Sequence, residues 1–197
     1  MFTGIVAEVG SIAGVAAAGR SRRLSILGPH THLGLSVGDS VAVNGVCLTV
    51  VAMGPTLFDL EAVPETLERT NLGALAPGST VNLERPVAAA GRFDGHLVQG
   101  HVDGVASVRS LRSDDESSRL WFDLAAEHHR YIVRKGSIAL DGVSLTVSGV
   151  DDSGFEVVLI PHTLQVTTMG ALAVGDQVNF EVDVLAKYVE RLMETRS

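Results

Sequence analysis

The residues best suited to chemistry in this chain lie in two copies of one short sequence. Cys47 is the only cysteine, and it lies in segment 40–50. That segment returns 97 residues later (137 − 40) at 137–147, where Ser144 takes the place of Cys47. A thiol and a hydroxyl at matching positions suggest that both segments line a pocket, although a free cysteine is commonly a small buried hydrophobe. Both interpretations of Cys47 stay open on the residues alone.

Threonine hydroxyls lie close to these positions in the sequence. Thr49 and Thr146 each follow a leucine of the repeated segment, and they could equally be ordinary strand residues. Thr66 and Thr163 lie in matching Pro-x-Thr-Leu turns, where a hydroxyl can cap the local backbone. Taken together, the hydroxyls and turn amides suit a flat heterocycle with several hydrogen-bond donors and acceptors.

Other kinds of chemical site find little support in the sequence. His96 and His101 are five residues apart, which on a strand puts them on opposite faces. The chain has no P-loop, no dinucleotide-binding glycine motif and no nucleophile elbow. We therefore predict small-molecule sites with no metal and no cofactor.

Composition limits the class of protein. The 197 residues are 46% hydrophobic and carry a net charge of −8, which allows two small cores and disfavours a nucleic-acid partner. The single cysteine permits no intrachain disulfide, and the first residues lack the basic region of a signal peptide. Because no apolar run is long enough to cross a bilayer, we expect a soluble cytoplasmic protein without a membrane partner.

The duplication extends far beyond the repeated segment, which itself predicts a hairpin around Asn44-Gly45. Each copy contains five to six short strands and little helix, a pattern typical of a small closed barrel. We predict an all-β fold of two similar six-stranded antiparallel Greek-key β-barrels in tandem plus a C-terminal α-helix. The predicted bounds are 1–90 for the first barrel, 91–184 for the second and 185–197 for the helix. The first strand of each copy is predicted at 1–12 and at 96–108.

The C-terminal segment has no counterpart in the first copy. Leu185, Tyr188, Val189 and Leu192 are spaced so that they share one face of a helix, and charged residues occupy most of the other face. A helix this short needs contacts outside itself to be stable. The apolar stripe is expected to pack either on its own barrel or on the same helix of other copies.

Several ordered segments together resemble the riboflavin synthase family. They are Met-Phe-Thr-Gly-Ile-Val, Asn-Gly-Val-Cys-Leu-Thr-Val, Gly-His-Leu-Val-Gln-Gly-His-Val-Asp-Gly and Lys-Gly-Ser-Ile-Ala-Leu-Asp-Gly-Val-Ser-Leu-Thr-Val. The similarity covers residues 1 to about 190 and includes the duplicated lumazine-binding repeat of that family. It implies the last step of riboflavin biosynthesis, with no cofactor. Two 6,7-dimethyl-8-ribityllumazine molecules dismutate by transfer of a four-carbon unit and give riboflavin and 5-amino-6-ribitylaminouracil.

The resemblance also implies which residues do this. The catalytic residues are Ser40, Cys47, His101, Thr146 and Asp183, with the imidazole as the group that exchanges protons near neutral pH. The substrate-binding residues of the first repeat are Gly4, Ile5, Val6, Cys47, Leu48, Thr49, Glu61, Ala62, Val63, Pro64, Glu65 and Thr66. Those of the second repeat are Gly100, His101, Val102, Lys135, Ser144, Leu145, Thr146, Ile160, Pro161, His162, Thr163 and Leu164.

The family likeness extends to assembly. It implies a homotrimer, formed through the C-terminal helix, and suggests lumazine synthase as a further partner. We expect one repeat to hold the donor and the other the acceptor, with the N-terminal barrel of one subunit facing the C-terminal barrel of another. The alternative function is a non-catalytic lumazine- or flavin-binding protein of the same fold, a fluorescent antenna or carrier. The presence of all five reactive residues favours the enzyme.

Overall fold

The two repeats form two closed antiparallel barrels of six strands each in the computed structural model, which describes residues 1–113 and 117–194. The first barrel consists of β1 Glu8–Ala18, β2 Ser21–Leu27, β3 Ser40–Val43, β4 Val46–Met53, β5 Leu57–Ala62 and β6 Thr80–Glu84. The second consists of β7 Gly104–Ser113, β8 Ser118–Asp123, β9 Ser137–Leu140, β10 Val143–Val150, β11 Gly154–Leu159 and β12 Gln177–Val182. Both barrels have the strand order first, second, fifth, fourth, third, sixth, and the sixth strand closes on the first. The predicted tandem of Greek-key barrels is confirmed.

Short helices connect the strands and extend the second barrel. They are α1 Pro29–His32, α2 Pro64–Arg69, α3 Pro161–Val166 and α4 Val184–Glu194, with 3₁₀ turns at Asn71–Ala74, Ala126–Tyr131 and Thr168–Ala171. The helices α2 and α3 begin at equivalent prolines, a residue that suits the first helical position. The sequence also predicts a polar turn at 113–118; part of this turn and the end of the predicted helix 185–197 lie outside the described residues.

Each barrel has its own apolar core because side chains alternate along the strands. In β2, for example, Leu24 and Ile26 are fully buried between more exposed neighbours. In the second barrel, Phe122 and Phe155 are fully buried and stack with their ring centroids 5.5 Å apart. Because each barrel has a separate core, a site shared by the two repeats must lie where the barrels meet.

The first strand of each barrel begins later than the sequence predicted. β1 begins at Glu8 instead of residue 1, and β7 begins at Gly104 instead of residue 96. Gly4 and Gly100 have φ values of +77° and +80°, which turn the chain out of the strand direction. We call the two stretches before these strands, 1–6 and 97–102, the crossing segments.

The crossing segments pair with each other between the barrels. The N–H of Phe2 donates to the carbonyl of Val98 at 2.7 Å, and the N–H of Val98 donates back at 3.2 Å. Both side chains are almost completely buried in a small third core with Ala42 and Ala139. This antiparallel pair gives the two halves of the chain a pseudo-two-fold relation.

The same relation holds where the two hairpin turns meet. The turn residues Asn44-Gly45 and Asp141-Gly142 all have positive φ, as a two-residue type I′ turn requires. The turns touch so closely that a Cβ on Gly45 would lie 2.6 Å from the backbone nitrogen of Gly142. Glycine is therefore needed here for contact between the barrels as well as for the turn.

A polar network surrounds these turns. Asn82 donates through Nδ2 to the carbonyl of Asp141 at 2.9 Å, and Asn179 donates through Nδ2 to the carbonyl of Asn44 at 2.8 Å. Asn71 adds an unsymmetrical bond, because its Nδ2 donates to Oδ1 of Asp141 at 2.9 Å. These side chains satisfy backbone groups of the opposite barrel and so fix the barrels against each other.

Helix α4 rests on the second barrel through its charged side. Lys187 lies 2.7 Å from Oδ1 of Asp103, and Glu190 accepts hydrogen bonds from Arg130, at 2.7 Å, and from the hydroxyl of Tyr131. The apolar stripe is largely exposed, with exposed fractions of 56 to 67% for Leu185, Tyr188, Val189 and Met193. Leu185, Val189 and Met193 line an open groove with Tyr131 and Val133 of the second barrel, so the stripe is not closely packed on its own barrel. No helix in the described part of the chain is long and apolar enough to cross a membrane.

Candidate substrate sites

The pocket at Cys47 is built by both repeats. A cavity of about 220 Å³ is lined by Val46, Cys47, Glu65, Thr66, Arg69 and Thr70 of the first repeat and by Gly100, His101 and Val102 of the second. The N–H of Cys47 donates to the carbonyl of Gly100 at 2.9 Å. A Cβ on Gly100 would lie 2.6 Å from Cβ of Cys47, so this crossing segment is in direct contact with the hairpin. The thiol and the imidazole of His101 thus belong to one site.

The second site repeats this arrangement with the roles of the barrels exchanged. The N–H of Ser144 donates to the carbonyl of Gly4 at 2.7 Å, and a Cβ on Gly4 would lie 2.6 Å from Cβ of Ser144. Val6 packs against the second core, whereas Val102 packs against the first. The sequence had grouped 4–6 with the first repeat and 100–102 with the second. The structure places each crossing segment on the hairpin of the other barrel.

Two buried glutamates that sequence reasoning did not select hold the crossing segments. Glu84 accepts hydrogen bonds from the N–H groups of Thr3, at 2.7 Å, and Gly4, at 3.0 Å. Glu181 accepts from the three N–H groups of residues 99–101 at 2.6, 2.8 and 2.9 Å. Burial raises the pKa of both carboxyl groups, and the backbone donors oppose that rise. A signal was available, since both glutamates keep the offset of 97 residues (181 − 84).

His96 is a second residue that the sequence analysis weighed only as a metal ligand. Its Nδ1 lies 2.7 Å from Oγ of Ser144, while its Nε2 is buried and has no hydrogen-bond partner among the described residues. Burial lowers the pKa of His96, and the negative charge of Asp183 partly opposes this. Because Gly4 aligns with Gly100 at an offset of 96 (100 − 4), the first repeat has no residue equivalent to His96. The His96 imidazole at Ser144 therefore has no equivalent at Cys47, where the imidazole belongs to His101.

The other predicted catalytic residues lie on the strands of the two hairpins and at the start of α4. Ser40 pairs with Thr49 across the β3–β4 ladder, and Thr146 pairs with Ser137 across β9–β10. Asp183 accepts a hydrogen bond from the N–H of Leu185 at 3.0 Å at the start of α4. Ser40 and Asp183 are half-buried, whereas Thr49 and Thr146 are exposed. None of these four residues is among the nine that line the cavity at Cys47.

Most of the predicted substrate-binding residues occupy equivalent places in the two repeats. Leu48 is buried in the first core and Leu145 packs on the second core. Residues 61–66 run from the end of β5 into α2, and residues 160–164 run into α3 at the equivalent place. Lys135 is exposed and has an unusual φ of +69° for a residue other than glycine. The predicted turn threonines, Thr66 and Thr163, provide carbonyl groups to the local hydrogen bonds. The donating hydroxyls are those of Thr70, which bonds to the carbonyl of Thr66, and of Thr167, which bonds to that of Thr163.

The geometry provides a cavity at Cys47 and an equivalent backbone arrangement at Ser144, with different chemical groups at the two sites. One contains a thiol and an imidazole, and the other contains a hydroxyl bonded to a partly desolvated imidazole. Within the described ranges, no cluster of three or more His, Cys, Asp or Glu side chains could hold a metal ion. Side chains of this kind can bind an uncharged polar heterocycle and move protons to and from it.

Comparison with known proteins agrees with this arrangement. The family model of the lumazine binding domain matches residues 3–86 and again 99–183. The riboflavin synthase of Mycobacterium tuberculosis is 50% identical over 199 residues, which cover 99% of each chain. That of Bacillus subtilis is 42% identical over 195 residues, 98% of this chain and 90% of the relative.

The solved structure of LumP complexed with 6,7-dimethyl-8-(1'-D-ribityl) lumazine has the same fold. Its TM-score is 0.84 at 23% identity, over 92% of this chain and 99% of that chain. This identity is low enough that the likeness concerns the fold alone. The duplicated domain and the two full-length relatives together show that the chain belongs to the lumazine-binding riboflavin synthase family.

Proposed function

We infer that the protein is a riboflavin synthase, a transferase that converts two 6,7-dimethyl-8-ribityllumazine molecules into riboflavin and 5-amino-6-ribitylaminouracil. The observation that carries this inference is the pair of hairpin sites, at Cys47 and at Ser144, that are alike in backbone but different in side chains. The carbonyls of Gly100 and Gly4 accept from equivalent N–H groups at 2.9 and 2.7 Å. The reaction uses two identical molecules in different roles, so two non-identical copies of one binding site suit it.

The reaction makes modest demands on the protein. The heterocycle delocalises the anion formed at its C7 methyl group, so the side chains must orient two flat rings and transfer protons. Holding reactants in place can lower a barrier by roughly 7–11 kcal/mol, and positioned acids and bases add about 10²–10⁴-fold. In this proposal His101 exchanges protons beside Cys47, and Ser144 with His96 contacts the ring in the second site. Ser40, Thr146 and Asp183 act at the edges of these pockets.

The donor and the acceptor come together between subunits in this proposal. Within one chain the two pockets are related by the pseudo-two-fold axis of the crossing segments. The N-terminal barrel of one copy would then face the C-terminal barrel of another, and the exposed stripe of α4 would pack on other copies to give a homotrimer. Association with lumazine synthase and a cytoplasmic location stay predictions.

Riboflavin formation is the direct test of this function. Purified protein mixed with 6,7-dimethyl-8-ribityllumazine should produce riboflavin absorbance without an added cofactor. His101→Gln should lower the rate by about 10²-fold, whereas His32→Gln should leave it unchanged, because His32 does not line the cavity at Cys47 and its Nε2 lies 2.9 Å from the carbonyl oxygen of Gly54. If the protein binds the lumazine tightly and forms no riboflavin, the chain is a carrier or antenna and the inference is wrong.

The assembly is tested by changing the stripe without removing the helix. Val189→Lys places a charge on the exposed apolar face, so we expect mainly monomers in sedimentation that still bind lumazine but form riboflavin poorly. Arg191→Ala is the matched control, because Arg191 is exposed and forms an ion pair with Glu194 within the same helix. A Val189→Lys protein that stayed trimeric would show that α4 is not the assembly element.

A further inference from the structure

We propose that Glu84 and Glu181 are positioning residues that act on the substrate site of the opposite barrel. Glu84 belongs to β6 of the first barrel and Glu181 to β12 of the second, and both are at least 93% buried, with exposed fractions of 7% and 3%. Glu181 does not line the cavity at Cys47, and Glu84 lies beside Thr3 and Ile5 of the first crossing segment in a separate cavity of about 300 Å³. Each glutamate is bonded to a crossing segment, and its influence on the opposite site passes through that segment.

The connection to the first site has two steps. The carboxylate of Glu181 accepts hydrogen bonds from the three backbone N–H groups of residues 99–101. These charge-assisted bonds are 2.6 to 2.9 Å long. The same stretch then presents the carbonyl of Gly100 to the N–H of Cys47 and the side chain of His101 to the cavity. The second barrel thus supplies and anchors one wall of the pocket in the first barrel.

The connection to the second site is its mirror image. Glu84 receives the N–H groups of Thr3 and Gly4, and the hydroxyl of Thr3 adds a bond at 2.8 Å. The carbonyl of Gly4 then accepts from the N–H of Ser144. The first barrel anchors one wall of the pocket in the second barrel.

A glutamine in either position cannot replace the carboxylate. Both oxygens of Glu181 accept from backbone N–H groups, and an amide NH₂ at either place would oppose a donor with a donor. Glu181→Gln should therefore release residues 99–101 from the second barrel and loosen the wall over Cys47. Glu84→Gln should loosen the wall over Ser144 in the same way.

Because the chain has a single cysteine, the rate of thiol alkylation can be measured at one site at a time. In the natural chain, the rate at which iodoacetamide alkylates Cys47 measures how well the crossing segment 97–102 shields its thiol. In a Cys47→Ser/Ser144→Cys background, the same reagent reports the cover at position 144. We expect Glu181→Gln to speed alkylation at position 47 by about tenfold or more, because at least one charge-assisted bond is lost. It should change the rate at position 144 less than about twofold, and Glu84→Gln should give the reverse pattern.

A milder variant keeps the test decisive if a glutamine variant unfolds. Thr3→Val removes one hydroxyl bond to Glu84 and leaves the carboxylate in place. It should speed alkylation at position 144 by a few-fold and leave position 47 unchanged. Equal effects on both thiols, or an effect confined to the barrel that carries the changed glutamate, would overturn the proposal.

The part of the experiment that adds riboflavin rests on the proposed function. It can fail while the alkylation result without ligand still holds. Riboflavin should protect Cys47 in the natural chain and the thiol at position 144 in the Cys47→Ser/Ser144→Cys background, and Glu181→Gln should weaken that protection by about tenfold at position 47 only. If riboflavin and the lumazine protect neither thiol when both glutamates are intact, the proposed function fails. The alkylation rates without ligand still decide whether the two glutamates act across the barrels.

Discussion

Replacement of Asp141 by asparagine should stabilise the protein above neutral pH. Asp141 is only 4% exposed, and its Oδ1 accepts hydrogen bonds from Nδ2 of Asn71 at 2.9 Å and from the N–H of Asn179 at 2.8 Å. Burial raises its pKa from 3.8 to about 7, although these two bonds oppose the rise. Near neutral pH the chain therefore ionises a carboxyl group in a place that disfavours charge.

The size of the effect follows from that pKa. Between pH 3.8 and about 7 the folded state binds more protons at Asp141 than the unfolded state does, so the stability of the wild type falls as pH rises. The whole difference corresponds to about 4 kcal/mol and is complete above neutral pH. Asparagine does not titrate and avoids this loss. Asn44 occupies the equivalent turn position and accepts from the N–H of Asn82 at 2.9 Å, so an amide fits the geometry.

Urea unfolding at two pH values measures this. Trp121 is the only tryptophan and lies in β8, so its fluorescence reports the barrel that contains Asp141. The stability gain of Asp141→Asn over the wild type should be about 3 kcal/mol larger at pH 8 than at pH 5. The exposed Asp152→Asn removes the same formal charge and should show no such growth. A gain that does not change with pH, or a variant less stable than the wild type at pH 8, would refute the reasoning.

Two further predictions concern the crossing segments and the buried imidazole. Gly100→Ala should lower the melting temperature and abolish lumazine binding at the Cys47 site, since its Cβ would lie 2.6 Å from Cβ of Cys47. Gly175→Ala, which also has positive φ but meets no atom within 4 Å, should lower the melting temperature less and spare binding. Burial lowers the pKa of His96, so wild-type stability should decline relative to His96→Gln as pH falls below the ordinary value of 6.5. Unfolding between pH 7 and 5 checks this, with His30→Gln at an exposed position as the control.

Much of the fold could be predicted because its signals are local. A strand is favoured by alternating apolar residues, a tight turn by dipeptides such as Asn44-Gly45, and a helix start by the proline of α2. Each signal lies within a few residues of the conformation that it favours. The exact repeat then showed that the same conformations occur twice. The amphipathic pattern of α4 correctly gave a helix, and its stripe gave the exposed face.

What could not be predicted is which strand or segment a residue pairs with across the chain. Residues 1–6 and 97–102 are apolar enough to read as the start of a strand, yet Phe2 pairs with Val98 in place of a barrel neighbour. The sequence pattern is the same for either partner, because alternation records burial and not the identity of the covering element. For the same reason, the pockets were assigned within repeats. Glu84 and Glu181 escaped notice because a buried carboxylate is explained only by the N–H groups that approach it.

The crossing of the segments explains how one duplicated backbone supports two different sites. The backbone contacts are equivalent, since the Cys47 and Ser144 N–H groups both donate to a glycine carbonyl of the other repeat. The side chains differ: the segment that covers Cys47 carries His101, whereas its equivalent over Ser144 carries Ile5. A substitution in either crossing segment thus alters the pocket of the opposite barrel and leaves the core of its own barrel unchanged. Two barrels of one design can in this way hold identical molecules in unlike surroundings, as a reaction between two copies of one substrate requires.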